Sequence, residues 1–201
     1  MKQSDSALIP PALKRKYLPA GLKADHWEMI LPFFEDLIQR PLLDLSSLRR
    51  WLEDKSELES FLQEDLAWRF IRMSCDTDSE AFRNSFNHFL SEIEAKASTQ
   101  YDLLNKKLLS APALSLLDGP GVDIMLRSIR KQVEIFRAEN VPLFNELQQK
   151  EQEYSAITGA MTIQADGKEL TLQQASNYLK HSDRNLRKEI YRKIADRRLQ
   201  D

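Results

Sequence analysis

Apolar side chains recur along most of this chain at the three- and four-residue spacing of amphipathic helices, and short polar segments separate the runs. Most of the predicted helices begin at capping residues, which are Asp25 with Glu28, Ser46 or Ser47, the capping box at Ser56 with Glu59, Ser79, and Ser182. Further helices are predicted over 122–139 and 140–158, after turns that contain glycine, proline or asparagine. Because the connections are short, neighbouring helices are expected to be antiparallel.

One segment shows the two-residue alternation of β-strands instead. Asp166 and Gly167 separate the runs 161–165 and 168–172, in which apolar and polar residues alternate. Asp-Gly supplies the positive φ angles of a type I′ turn, so the pattern predicts a β-hairpin. The predicted fold class is therefore mainly α, an antiparallel helical bundle with one β-hairpin near residues 160–172.

The pattern divides the chain into three predicted regions. Residues 1–24 contain three prolines and are expected to form an extended lead. Residues 25–118 are predicted to form a first helical subdomain, and residues 119–201 a helix–hairpin–helix segment. The last predicted helix is still open at Asp201, because no glycine, asparagine or proline closes it. We therefore expect the chain to be truncated before a further domain.

Composition narrows the classes of function. Charged residues make up 30% of the 201 residues and only five are glycine, which is typical of a helical protein with solvated outer faces. A net charge of -2 argues against general binding to nucleic acid or to a membrane surface. The single cysteine excludes an internal disulfide framework and is typical of a reducing compartment. A cytoplasmic protein is therefore expected.

No local motif assigns a catalytic or metal site. His26, His88 and His181 are not paired at helical spacing, whereas a helical zinc site needs two imidazoles one turn apart. They are expected to be capping or partly exposed residues. Cys75 has no base near it in the sequence, and we expect a buried or semi-buried thiol. No catalytic, metal-binding or cofactor-binding residue is assigned within residues 1–201, and the substrate-binding residues are left unassigned.

Three charged segments are expected to be structural. The segment 76–80 resembles the start of a calcium loop but lacks its glycine and its distal glutamate, so helix capping is the expected role. Arg69 and Arg72 are expected to pair with Asp65 or Asp76. A basic run in the last helix is typical of a solvated face with intrahelical ion pairs; it comprises Arg184, Arg187, Lys188, Arg192, Lys193, Arg197 and Arg198.

Four stretches resemble the amino-terminal part of the oligoendopeptidase F group within the M3 family of zinc metallopeptidases. They are DLAWRFIRMSCDT at 65–77, ENVPLF at 139–144, ITGAMT at 157–162 and ELTLQQA at 169–175. The resemblance extends from about Trp27 to the segment 191–198. It implies a helical lobe that forms one wall of a deep substrate channel, in a family that hydrolyses short peptides in the cytoplasm. It also implies a zinc ion held downstream by a His-Glu-x-x-His helix and a further glutamate, and no position here matches that motif.

These observations lead to one hypothesis and two alternatives. The hypothesis is a non-catalytic amino-terminal domain of a zinc-dependent oligoendopeptidase, with zinc and short peptides bound by the parent enzyme and with the missing catalytic domain of the same chain as partner. The first alternative is a stand-alone helical adaptor that binds a peptide or protein through the hairpin edge. The second is a nucleic-acid binder that uses the basic helix, for which salt-dependent binding is expected.

Overall fold

The computed structural model describes residues 15–76 and 79–200 and confirms a mainly α fold with one two-stranded antiparallel sheet. In chain order the elements are α1 (Trp27–Gln39), α2 (Leu45–Cys75), α3 (Glu80–His88), α4 (Ala95–Leu109), α5 (Val122–Ile135), α6 (Asn140–Ala160), β1 (Thr162–Ala165), β2 (Lys168–Thr171), α7 (Leu172–Ser176) and α8 (Arg184–Arg198). A π-helical turn, Phe89–Glu94, joins α3 to α4, and 3₁₀ turns cover Pro112–Leu116 and Asn177–Lys180.

The contacts divide the chain into two compact units, Met1–Asn145 and Glu146–Asp201. Each unit has a hydrophobic core of its own. The three regions predicted from the sequence remain predictions. Residues 1–14, more than half of the predicted extended lead, lie outside the described residues.

The core of the first unit is built from the apolar faces of α1, α2 and α4. Ile30, Phe34 and Leu37 recur at helical spacing on α1 and have no exposed surface. Their counterparts on the other two helices include Leu48, Trp51, Leu58, Leu62, Leu104 and Leu108. Burying one such side chain contributes about 1.5–3 kcal/mol, so these faces supply much of the folding free energy of the unit.

Backbone carbonyls at the C-terminal end of α1 are bonded by side chains of two other helices. The indole Nε1 of Trp51 on α2 donates to the carbonyl of Leu37 at 2.8 Å. The Lys107 ammonium on α4 donates to the carbonyl of Ile38 at 2.5 Å and to that of Arg40. The last carbonyls of a helix have no partner within it, so these bonds satisfy α1 while they join it to α2 and α4.

The start of α1 differs from the prediction. The N-cap is His26, not Asp25, because the Asp25 carboxylate instead lies 3.1 Å from the Arg69 guanidinium. Pro32 neither delays the start of α1 nor ends it. Pro32 and Glu28, four residues before it, are both exposed, so water can bond the carbonyl that a proline nitrogen leaves unpaired.

Helix α2 is one continuous helix, so the predicted break and second start at Ser56 are wrong. Asp44 is the N-cap, and its carboxylate accepts from the Ser47 N–H at 2.7 Å in a capping box. No glycine or proline interrupts residues 45–75. Apolar residues before and after Ser56 enter the same core, and their burial outweighs the local capping preference of Ser56.

Glu57, the residue after Ser56, holds the segment that precedes α1 to helix α2. Its carboxylate accepts backbone N–H bonds from Lys16 at 2.9 Å, Tyr17 at 3.1 Å and Leu18 at 2.8 Å. Burial alone would raise the pKa of Glu57, but these three bonds stabilise the ionised form and hold the pKa below its ordinary value.

The helix predicted to start at Ser79 runs on to Leu109 as one helical run. The π-helical turn in its middle widens the helix by one residue. This lets the adjacent residues Phe89 and Leu90 both be buried, Phe89 in the main core and Leu90 against Met73.

Two helix ends also differ from the sequence-based expectation. Helix α5 ends at Ile135 rather than 139, because Phe136 adopts extended backbone angles. Helix α8 ends at Arg198, where the N–H of Leu199 donates to the carbonyl of Ala195 at 3.2 Å. The expectation that the last helix continues to Asp201 is therefore wrong for the described residues, which end at 200.

The second unit is organised around the predicted hairpin, which is confirmed. Asp166 and Gly167 have φ angles of 52° and 69°, as a type I′ turn requires. The strands pair from Thr162 with Thr171 to Ala165 with Lys168. One face packs against α7 and α8 in a core of Met161, Ile163, Ala165, Leu172, Ala175 and Ile190.

Helix α7 is an element that the sequence analysis missed. Thr171 and Gln174 form a capping box, in which the Thr171 hydroxyl accepts from the Gln174 N–H at 3.2 Å and the Gln174 side chain accepts from the Thr171 N–H at 2.9 Å. This spacing of threonine and glutamine is a recognised signal for the start of a helix, so α7 could have been predicted from the sequence.

Replacing Glu57 by glutamine should make the free energy of unfolding depend less on pH in the acidic range. Because the folded-state pKa of Glu57 is lowered, its stabilisation is present above the unfolded pKa of about 4.3 and is lost as the pH falls through the folded value. We expect Glu57→Gln to lower the free energy of unfolding by about 1 kcal/mol at pH 7 and by much less at acidic pH. Urea unfolding at several pH values measures this. The exposed neighbour Glu53→Gln is the control, and an equal loss for both variants at all pH values would contradict the assignment.

Two glycine substitutions in the second unit should act in opposite directions. Gly167→Ala should cost about 1 kcal/mol, because alanine is strained at a φ of 69° although no atom lies within 4 Å of the added Cβ. Gly159→Ala lies in α6 with equal space around it and without a positive φ, and should be neutral or stabilise by up to about 1 kcal/mol. Thermal unfolding of both variants tests this, and equal shifts would exclude the turn conformation as the cause.

Candidate functional site

The histidines do not form a metal site in the described structure. His26 and His88 come together, with ring centroids 6.2 Å apart, although 62 positions separate them in the chain. His88 Nε2 lies 2.9 Å from the carbonyl oxygen of Asp25, and His181 Nδ1 accepts from the N–H of Asp183. Within 15–76 and 79–200, no three His, Cys, Asp or Glu side chains are grouped so that they could hold a metal ion.

Cys75 is exposed, so the expected buried or semi-buried thiol is wrong. It is the last residue of α2, where the chain leaves the core. The acidic segment after it ends in Ser79, whose hydroxyl accepts from the Phe82 N–H and caps α3. Residues 77 and 78 of the same segment lie outside the described residues.

Arg69 joins three parts of the first unit. It pairs with Asp65 one turn earlier at 3.0 Å, as expected, and with Asp25 at 3.1 Å. Its guanidinium also donates to the hydroxyl of Ser85 on α3 at 2.8 Å. With these partners Arg69 holds the start of α1 and helix α3 to α2, which is a structural role.

The basic residues of α8 are partly neutralised within the unit. Lys193 pairs with Glu189 at 2.6 Å and also donates to the carbonyl of Gln164 on β1 at 2.9 Å. Arg187 donates to the carbonyls of His181 and Ser182 before the helix starts. These contacts agree with a solvated face that supports local structure.

Arg40 is the centre of a second charged network in the first unit. Its guanidinium pairs with Asp36 and, at 2.5 Å, with Asp54. Burial alone would lower the pKa of Arg40, but hydrogen bonds to Asp54 and Asp36 raise it. The Tyr17 hydroxyl donates to Asp36 at 2.8 Å, and burial together with this bond raises the pKa of Tyr17. These bonds join the segment before α1, the end of α1 and helix α2, which is a structural role.

The most distinctive free surface of the chain is a stripe of apolar side chains on α6. None of the 21 residues of α6, all of them described, is buried. Leu147, Tyr154 and Ile157, all in the second unit, follow one another at intervals of seven and three, which places them on one side of a helix. Each is at least 52% exposed. We call these three residues the α6 stripe. Exposed apolar patches of this kind mark interaction surfaces.

The hairpin offers less free surface than the sequence indicates. Ile163 and Ala165 of β1 are buried against the helices of the second unit, whereas Lys168 and Glu169 of β2 are exposed. The sheet has two strands, β1 and β2, within the described residues. One face of the hairpin is thus part of a core, whereas its other face, with Gln164 and Glu169 exposed, and its edges are available to a partner.

A comparison with protein families assigns the chain to one of them. The model described as the Peptidase M3 N-terminal domain matches residues 22–136, more than half of the chain. The chain belongs to this family. The matched segment of this M3 N-terminal domain begins before α1 and ends at Phe136, just after α5. Searches of curated proteins and of solved structures gave no match. None of the described helices has both the length and the apolar character needed to cross a bilayer.

A substitution on the α6 stripe should leave the M3 N-terminal domain folded. Leu147→Ala should change the free energy of unfolding by less than about 0.5 kcal/mol, because the side chain is 52% exposed. Leu172→Ala, at a leucine only 5% exposed in the core of the second unit, should cost about 2–5 kcal/mol. Denaturant titration of both variants measures the contrast. A large loss for Leu147→Ala would show that the stripe belongs to a core.

Proposed function

We propose that this chain is the non-catalytic amino-terminal domain of a cytoplasmic, zinc-dependent oligoendopeptidase of the oligoendopeptidase F group, which hydrolyses short peptides. The family match over residues 22–136 carries the proposal. Zinc and the groups that activate water belong, in this proposal, to the catalytic domain. The chemistry supplied there is polarisation of a peptide carbonyl and activation of water by the metal.

The role proposed for residues 1–201 is to form one wall of the substrate cleft. A helical wall limits access by size, so that short flexible peptides enter and folded proteins do not. It also excludes bulk water, which strengthens electrostatic interactions inside the cleft. The ties of α1 to α2 and α4 and the Arg69 contacts give the first unit the rigidity that such a wall needs.

The α6 stripe is the surface that we assign to contact with the catalytic domain. It lies in the segment after the family match, and two of the stretches that resemble oligoendopeptidase F, 139–144 and 157–162, overlap α6. Three exposed apolar side chains on one face are unfavourable in water, and covering them with a partner lowers the free energy. The hairpin, with one face already buried in its own unit, is assigned a secondary contact.

Two measurements test the proposal. Purified residues 1–201 should not cleave a quenched fluorescent peptide when zinc is supplied, and robust cleavage that a chelator abolishes would contradict a non-catalytic role.

In the longer polypeptide that carries the zinc motif, Leu147→Asp with Tyr154→Asp should lower kcat/KM by about tenfold or more, because charges would be buried at the contact. Gln149→Asp, an exposed position on the opposite side of α6, is the matched control and should keep full activity. Equal activity of all forms would exclude the stripe as the contact.

The adaptor alternative makes a different prediction for the same protein. A chain that acts alone through the hairpin edge should bind extended peptides without any catalytic domain, by adding a strand to β1 or β2. Proline at an edge position would then remove binding, because it removes a backbone donor. The family match favours the peptidase domain.

A further inference from the structure

A cleft along the C-terminal half of α2 opens beside the first residue that the structure describes. It has a volume of about 540 Å³, and we call it the α2 cleft. Its lining includes Arg15, the segment 22–25 and residues of α2 at helical spacing, among them Phe61, Glu64, Trp68 and Arg72. A chain that precedes Arg15 is therefore joined directly to one end of the cleft.

The first described residues follow α2 in a defined direction. Three backbone N–H groups of the segment 16–18 donate to the Glu57 carboxylate. The Arg15 guanidinium lies 4.5 Å from the centroid of the Phe61 ring, one helical turn beyond Glu57. Followed backwards along the chain, the contacts thus move towards the C-terminal end of α2 and towards Trp68.

The side of α2 that lies ahead on this path is apolar and exposed. Trp68, in the lining of the α2 cleft, is 51% exposed, and Ile71 beside it is 44% exposed. Cys75 follows at helical spacing and is also exposed. A large aromatic and a large aliphatic side chain next to each other are unfavourable in water, and an apolar cover lowers the free energy.

The segment before Arg15 has the composition that this surface needs. Residues 7–13 read ALIPPAL and carry no charged or hydrogen-bonding side chain. Pro10 and Pro11 have no backbone N–H to remove from water, and proline-containing segments bind aromatic-lined grooves. Lys14, which follows the apolar run, brings a positive charge next to the lining residue Glu64.

We propose that the α2 cleft and the adjoining side chain of Ile71 bind residues 7–13 of the same chain. Seven residues can span up to about 24 Å. The distance from Phe61 to Cys75 along the axis of α2 is about 21 Å, so the segment is long enough to cover this side of the helix.

The direct covalent connection favours this occupant over a separate partner. A segment joined to Arg15 without a linker is presented to the cleft at an effective concentration in the millimolar range, and an unlinked partner has to compete with it. The inference does not depend on the proposed function, because no catalytic domain is invoked.

Acrylamide quenching of tryptophan fluorescence in the full chain tests the proposal. Of the three tryptophans, Trp27 is 9% exposed and Trp51 has no exposed surface, so quenching reports mainly on Trp68. Leu8→Asp with Ile9→Asp should raise the quenching constant by about twofold or more, because charges in the segment oppose its burial and leave the indole open to water. Gln3→Asp with Ser4→Asp adds the same charge outside the apolar run, is the matched control, and should change nothing.

Four results would overturn the proposal. The first is equal quenching of the wild-type chain and the Leu8→Asp, Ile9→Asp variant, which would show that the segment does not cover Trp68. The second is an equal increase in the control variant, which would indicate a general effect of charge. The third is a difference that persists when Trp68→Phe is added to both chains. The fourth is shielding of Trp68 that is lost on dilution, which would identify a second copy of the chain as the occupant.

Discussion

The carbonyl groups at the C-terminal end of α1 need donors, and the first unit depends on how they obtain them. A buried indole from α2 and a lysine from α4 supply the bonds, at Leu37 and at Ile38 with Arg40. Trp51 can donate there only if α2 is already helical at that point and packed against α1. The same bonds hold α2 and α4 against the end of α1. The hydrogen bonds to the last carbonyls of α1 thus position α2 and α4 relative to α1.

Much of the fold could be predicted from local sequence signals, whereas the rest depends on contacts between residues that are distant in the chain. The hairpin was predictable because Asp166 and Gly167 alone specify a type I′ turn. The break at Ser56 was wrong because a capping preference of about 1 kcal/mol yields to apolar burial on both sides of it. The periodicity of the sequence does not predict the contact between His26 and His88 or the exposure of Cys75. It also does not predict that side-chain oxygens of Asp102 and Asn105 are buried without a hydrogen-bond partner among the described residues. The α6 stripe was visible as a pattern, but only the structure shows that it is exposed.

The α6 stripe is an apolar surface, and covering it with a protein removes apolar area from water and lowers the free energy. It is the surface that we propose for contact with a catalytic domain. The charged networks at Arg40 and Arg69 hold helices of the first unit together.

The central proposal is that this chain works beside a catalytic domain that would carry a zinc site. Reading the coding sequence beyond the codon for Asp201 tests it most directly. The account predicts an open reading frame that continues into a segment with a His-Glu-x-x-His motif and a further glutamate downstream. A stop codon immediately after Asp201 would contradict the account and favour a helical adaptor that acts alone.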